Sequence, residues 1–148
     1  MNKFSIITPT YMRLANLKTF YENLKKHKGN FKIEWIVVYE KDDIESFNFI
    51  SNISDIDVVL VLNNGVFSNA LRIGATHASG DFLNFLGDDD IIVENALSKI
   101  VQELSKNPES QWIVGQGLYI NKHGVQIRKT VTFFKNIFLY FFNKNTLI

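Results

Sequence analysis

Four short apolar runs, each followed by a stretch of helical periodicity, limit how this chain can fold. Lys3–Thr8 reads as a buried strand broken by Pro9. Arg13–Lys28 reads as a helix, with Leu14, Leu17, Phe20, Tyr21 and Leu24 recurring on one face and Gly29 closing it. Ile33–Tyr39 is a β-branched and aromatic strand, and Ile44–Ile53 a short helix. Asp57–Leu62 is a third strand, ended by Asn63-Asn64-Gly65; Val66–Ala78 is helical and stops at Ser79-Gly80. Asp81–Leu86 is the fourth strand. In Val93–Leu104, Val93, Ala96, Leu97, Ile100, Val101 and Leu104 form a single stripe, with Pro108 beyond it. This alternation implies an α/β fold: a mostly parallel sheet with helices on both faces. Such sheets bind ligands beyond the carboxyl ends of their strands, where the strand order reverses. If the first and fourth strands are neighbours across that point, the loops that follow them face each other.

The fourth strand runs into Gly87-Asp88-Asp89-Asp90. Three adjacent carboxylates repel, and one is pushed toward protonation unless a cation lies between them. Hard oxygen donors suit Mg²⁺ or Mn²⁺, which complete their shells with substrate phosphates. The cluster therefore points to a phosphate-bearing substrate held through a divalent cation. The structural alternative is that Asp88–Asp90 cap a helix starting near Ile92. Similarly, Pro9-Thr10-Tyr11 can be read as a turn in which Thr10 caps the next helix.

Other chemistries are narrowed by what the chain lacks. It has no cysteine, which excludes thiolate metal sites and cysteine catalysis. It has no phosphate loop of the Gly-x-x-x-x-Gly-Lys-Ser/Thr type, no Gly-x-Gly-x-x-Gly after the first strand and no Gly-x-Ser-x-Gly. His27, His77 and His123 are not spaced as zinc ligands. A phosphatase with an aspartate nucleophile would carry it after the first strand, where Thr8-Pro9-Thr10 stands. The first residues show no secretory leader, and no apolar run approaches the roughly 20 residues that span a bilayer. The expected location is the cytoplasm, and no nucleic-acid partner is expected.

Four segments fall in register. Thr8-Pro9-Thr10-Tyr11-Met12-Arg13 comes after the first strand and Glu40-Lys41-Asp42-Asp43 after the second. Asn64 to Gly74 opens the third crossover, and Gly80 to Asp90 closes the fourth strand. Over roughly residues 3–105 the chain resembles the nucleotide-sugar-binding half of family 2 glycosyltransferases. That family has a Pro-Thr-Tyr-Asn-Arg type of turn, Val-Val-Asp-Asp-Gly-Ser, Ala-Arg-Asn-x-Gly and Gly-Glu-Tyr-x-x-Phe-Leu-Asp-x-Asp-Asp in the same order. The resemblance implies a Rossmann-like GT-A fold, with residues 1–110 as the nucleotide-sugar-binding core and 111–148 as the start of the acceptor half. It also implies that Pro9, Thr10, Tyr11 and Arg13 line the donor pocket, with Tyr11 offering a stacking face. Glu40 falls where the family has an aspartate that bonds the base, and Arg72 could reach the diphosphate. Asp89 falls on the principal metal-binding aspartate, with Asp88 and Asp90 beside it, and Asp88 also toward the donor. The implied activity is metal-assisted, inverting transfer from a nucleotide-diphosphate sugar, UDP-linked by expectation, to a saccharide or lipid-linked acceptor, as in polysaccharide biosynthesis. The chain departs from the pattern at Tyr39-Glu40-Lys41, at Leu71-Arg72 and at Gly87, which replaces the first aspartate of Asp-x-Asp.

Charge is uneven. Residues 1–110 carry 11 Lys/Arg against 15 Asp/Glu, whereas 111–148 carry 5 Lys/Arg and no acid. Trp112–Ile120 and Val125–Val131 are expected to pair as strands. The aromatic segment 133–142 reads as packed against the sheet edge or, alternatively, as a basic, aromatic surface touching anionic lipid. An inverting transfer needs a general base, and the acid-free tail offers only His123. The catalytic base is thus unassigned. The chain reads either as the donor-binding part of a longer enzyme or as a non-catalytic nucleotide-, partner- or membrane-binding module.

Overall fold

The computed structural model describes residues 2–111 together with Ile113, Ile120, Asn121, His123 and Val125. The chain forms β1 (Lys3–Pro9), α1 (Leu14–His27), β2 (Lys32–Glu40), α2 (Ile44–Ser51), β3 (Asp57–Asn63), α3 (Phe67–Thr76), β4 (Phe82–Phe85) and α4 (Ala96–Lys106). Compactness divides the chain between Glu103 and Leu104, and the first unit holds the whole sheet. The expected strand pair and the segment 133–142 lie outside the described residues, except for a turn in which Asn121 Oδ1 accepts from the His123 and Val125 N–H groups.

The four strands are parallel, in the order β3-β2-β1-β4. The order reverses between β1 and β4, which meets the condition for the loops after the first and fourth strands to face each other. Alternate residues of β1, β2 and β3 feed two cores, whereas Leu83 and Phe85 of β4 are exposed. On one face Phe4, Ile6, Ile33, Trp35 and Val37 meet Leu17, Phe20 and Leu24 of α1, Ile50 of α2 and Leu97 of α4. The Trp35 indole N–H is not orphaned there: it donates to Thr8 Oγ1 at 2.9 Å. On the other face Ile7, Ile36, Val38 and Val61 meet α3 through Ala70. Gly74 lets α3 come this close, because a Cβ there would stand 2.5 Å from the Ile7 side chain and 3.1 Å from Val38.

One expected boundary moves by three residues, while the others hold within two. The stripe predicts a helix from Val93, yet α4 begins at Ala96 and Val93 is exposed. Asn95 has φ +61°, a left-handed conformation that a right-handed helix cannot include. The two capping readings also fail. Thr10 does not cap α1, whose N-cap Arg13 makes no side-chain cap. Asp88–Asp90 stand too far before α4 to cap it.

The amino ends of the strands are joined by a buried carboxylate. Glu34 of β2 accepts from Lys3 Nζ at 2.7 Å, from Ser5 Oγ at 2.5 Å, and from the N–H and hydroxyl of Ser79 at 2.8 and 2.5 Å. β1, β2 and the turn before β4 are thus tied at one point. Burial alone would raise the Glu34 pKa, but the bonds from Lys3, Ser5 and Ser79 outweigh it and lower it from 4.5 to about 2. A depressed carboxylate contributes stability that is fully present above its unfolded pKa and lost as pH falls through its folded pKa. Glu34→Gln is expected to cost about 2 kcal/mol at neutral pH. Urea unfolding from pH 7 down to pH 2 should show the wild type losing this increment below about pH 4.5, with the variant losing less.

Candidate functional site

The carboxyl ends of the strands frame an open cleft of about 570 Å³, within the range that encloses small ligands. Its walls come from three consecutive strand ends: Pro9–Tyr11 and Arg13 after β1, Val38, Glu40 and Asp42 at the end of β2, and Asn63–Gly65 with Phe67 between β3 and α3. Asp88, after β4, and Ala70 complete the lining. Among the described lining residues, Arg13 is the one cation, against the carboxylates of Glu40, Asp42 and Asp88.

The turn after β1 is held from outside. Met12 has φ +51°, unfavourable for a residue with a long side chain. Its N–H donates to Asp43 Oδ2 at 2.7 Å, while Asp43 Oδ1 accepts from Ser46 N–H at 3.2 Å as the N-cap of α2. Asp43 is buried. The same side chain therefore caps a helix and fixes the turn that carries Thr10, Tyr11 and Arg13. The Tyr11 hydroxyl donates to Asp42 Oδ2 at 3.0 Å, which raises the tyrosine pKa, and its ring stays half-exposed at the cleft.

Glu40 and the asparagines form a second network. Glu40 Oε1 accepts from Asn63 Nδ2 at 2.7 Å and from Gly65 N–H at 3.0 Å. Asn69 Nδ2 in turn donates to Asn63 Oδ1 and Asn64 Oδ1. Glu40 is thus partly committed to holding the β3–α3 turn. Arg72 is not brought to the cleft. It lies on α3, and its Nη2 donates to Asn69 Oδ1 at 2.7 Å.

The aspartates separate by environment. The Asp88 side chain is 1% exposed. Its Oδ2 accepts from Thr10 Oγ1 at 2.7 Å. Its Oδ1 has Arg13 Nη1 at 3.0 Å as an ionic contact, and the Asn16 side chain also bonds the carboxylate. Asp89 is mostly exposed and accepts from Arg13 Nη2 at 2.8 Å. Burial raises the Asp88 pKa above the usual carboxylate range; the Arg13 hydrogen bond lowers that of Asp89. Asp90 turns back, its Oδ2 accepting from Gly87 N–H at 2.6 Å.

Three carboxylates therefore do not converge, and no group of three metal-ligating side chains forms among the described residues. Asp88 and Asp89 instead face one positive group, the Arg13 guanidinium. That donor set fits a hard cation whose remaining ligands come from elsewhere. Asp42, Asp43, Asn63, Asn64 and Phe67 were not assigned to the site from sequence. The asparagines read as a turn, and Phe67 stands three residues before Ala70 on the stripe that α3 buries. Yet Phe67 is 69% exposed, at the first turn of α3, where it lines the cleft.

Comparison with known proteins agrees with this architecture. The model of glycosyl transferase family 2 matches residues 5–147, and the chain belongs to that family. An uncharacterized glycosyltransferase of Haemophilus influenzae is 31% identical over 113 residues, covering 74% of this chain and 37% of the relative. The crystal structure of S. aureus TarS 1-349 superimposes with a TM-score of 0.58 at 17% identity, over 77% of this chain and 39% of that one. A second TarS structure gives 0.55 at 20% identity, over 79% and 23%. The fold is that of the GT-A glycosyltransferases, and the chain spans less than two fifths of the length of these relatives. No helix among the described residues is long and apolar enough to cross a membrane.

Asp43→Ala removes both a helix cap and the acceptor of the Met12 N–H. The expected cost is about 2 kcal/mol, measured by urea unfolding. Asp42→Ala, which loses only the bond from an exposed tyrosine, should change stability by less than about 0.5 kcal/mol.

Proposed function

We propose that this chain is the donor-binding part of a glycosyltransferase and holds a nucleotide-diphosphate sugar, most simply a UDP-sugar, in the cleft at the carboxyl ends of β1–β4. One observation carries this reading: a cleft of nucleotide size has at its inner wall the buried Asp88 carboxylate, whose ionic partner is the half-exposed Arg13 guanidinium 3.0 Å away. Family membership supports glycosyl transfer as the reaction and a nucleotide-sugar and a saccharide as its partners. A lipid-linked acceptor, and membrane contact through 133–142, belong to the same proposal.

The residues divide the work. The half-exposed Tyr11 ring and the exposed Phe67 ring offer faces for a base. Glu40, with Oε1 occupied by Asn63 and Gly65, positions the turn that borders the base and presents its other oxygen as an acceptor. Asp88 and Asp89 would hold Mg²⁺ or Mn²⁺. When bound, such a cation supplies Lewis-acid neutralisation of the leaving diphosphate. The lining supports this role, because three carboxylates against one guanidinium repel a bare diphosphate. Thr10 fixes the Asp88 carboxylate through its hydroxyl, so the locus is oriented before any ligand enters. Arg72, turned to Asn69, acts on the turn rather than on the phosphates in this arrangement.

Isothermal titration of UDP should show binding that requires Mn²⁺, with affinity reduced at least tenfold, about 1.4 kcal/mol, in Asp89→Ala. Binding that ignores Mn²⁺, or that survives Asp89→Ala unchanged, would overturn the reading.

A further inference from the structure

Arg13 occupies the locus that the proposed function gives to a divalent cation. Its Nη1 lies 3.0 Å from Asp88 Oδ1 and its Nη2 2.8 Å from Asp89 Oδ2. The amide of Asn16, with its oxygen toward the guanidinium, accepts from Nε at 3.3 Å and Nη2 at 2.8 Å. The backbone of Arg13 is fixed at the head of α1, where its carbonyl accepts from Leu17 N–H at 3.0 Å. Its side chain is not fixed in the same way: it is 47% exposed and reaches the aspartates from the cleft.

We infer that Arg13 is an exchangeable internal cation, which fills the Asp88–Asp89 site in the free protein and is released to the diphosphate when nucleotide and metal bind together. The inference rests on the proposed donor site and concerns how that site is kept closed to metal alone. The charges supply the reason. Two carboxylates carry −2 and the guanidinium +1, so Arg13 leaves the free site with a net −1 instead of −2. A divalent ion entering alone must break both Arg13 contacts and leaves the guanidinium without a carboxylate partner. A diphosphate entering at the same time gives the guanidinium a bidentate partner of the kind it binds best. Metal and nucleotide should therefore bind with positive coupling, and coupling is reciprocal by linkage. The Arg13 contact with Asp88 Oδ1 is ionic and not a hydrogen bond, which fits a contact that can be given up.

The test is a Mn²⁺ titration of the full chain, read from the loss of the free-ion electron paramagnetic resonance signal, with and without UDP and corrected by a protein-free Mn²⁺–UDP series. The wild type should bind Mn²⁺ weakly alone, and UDP should raise that affinity on the order of tenfold or more. Arg13→Gln should bind Mn²⁺ alone about tenfold more tightly than wild type, with most of the UDP coupling gone. Arg13→Lys keeps a cation in place and should remain weak for Mn²⁺ alone, which separates charge from any change in folding. Equal Mn²⁺ affinity in wild type and Arg13→Gln, with Mn²⁺-dependent UDP binding intact, overturns the inference and leaves the donor site standing. Arg13→Lys binding Mn²⁺ as tightly as Arg13→Gln also overturns it. No Mn²⁺-dependent UDP binding in any of the three proteins overturns both.

Discussion

β1 is paired along both edges and buried on both faces, and the rest of the unit is arranged around that strand. Its partners are β2 on one side and β4 on the other. Phe4 and Ile6 enter one core and Ile7 the other. A strand so placed has no free backbone groups and no exposed face over its middle, so its position is over-determined. The residues beyond its carboxyl end are presented at a fixed height above the sheet. Those residues are Thr10–Arg13, and the partner strands on either side deliver Glu40 and Asp88 to the same level. The site is thus built mainly by topology, and its side chains only refine it.

That explains why much of the fold was legible in the sequence. Ile33–Tyr39 and Lys3–Thr8 are largely apolar because both faces are buried, and a run of that kind reads as a parallel strand. Val93 was expected inside α4 because its apolar character continues the helix stripe. The left-handed backbone at Asn95, which interrupts the helix, leaves no trace in hydrophobic periodicity. Asn is tolerated in that conformation, but Asn95 alone did not mark a boundary.

The site was legible in outline only. Order and spacing along the chain brought Thr10, Arg13, Glu40 and Asp88 to one end of the sheet, because parallel strands put all their carboxyl ends together. Direction was not legible. Arg72 lies one position beyond the family's arginine, and one position on a helix turns a side chain by about 100°; it meets Asn69 and not the cleft. Likewise three consecutive aspartates read as one cluster, but the turn sends Asp88 inward, Asp89 to Arg13 and Asp90 back to the Gly87 N–H. Phe67 was hidden for a related reason: helical phase alone makes it a core residue, and only the overhang of the first turn of α3 exposes it.

The left-handed backbone at Met12 couples the turn after β1 to α2. The resembled family has asparagine at this position of the turn, a residue that enters the left-handed region easily, and here a thioether chain takes the same conformation. The turn cannot relax while Asp43 holds the Met12 N–H, and Asp43 cannot let go without freeing the first turn of α2. Fraying of that helix and opening of the cleft wall are therefore one event rather than two. Amide exchange at Ser46 would report the free energy of opening the wall, although Ser46 itself does not line the cleft.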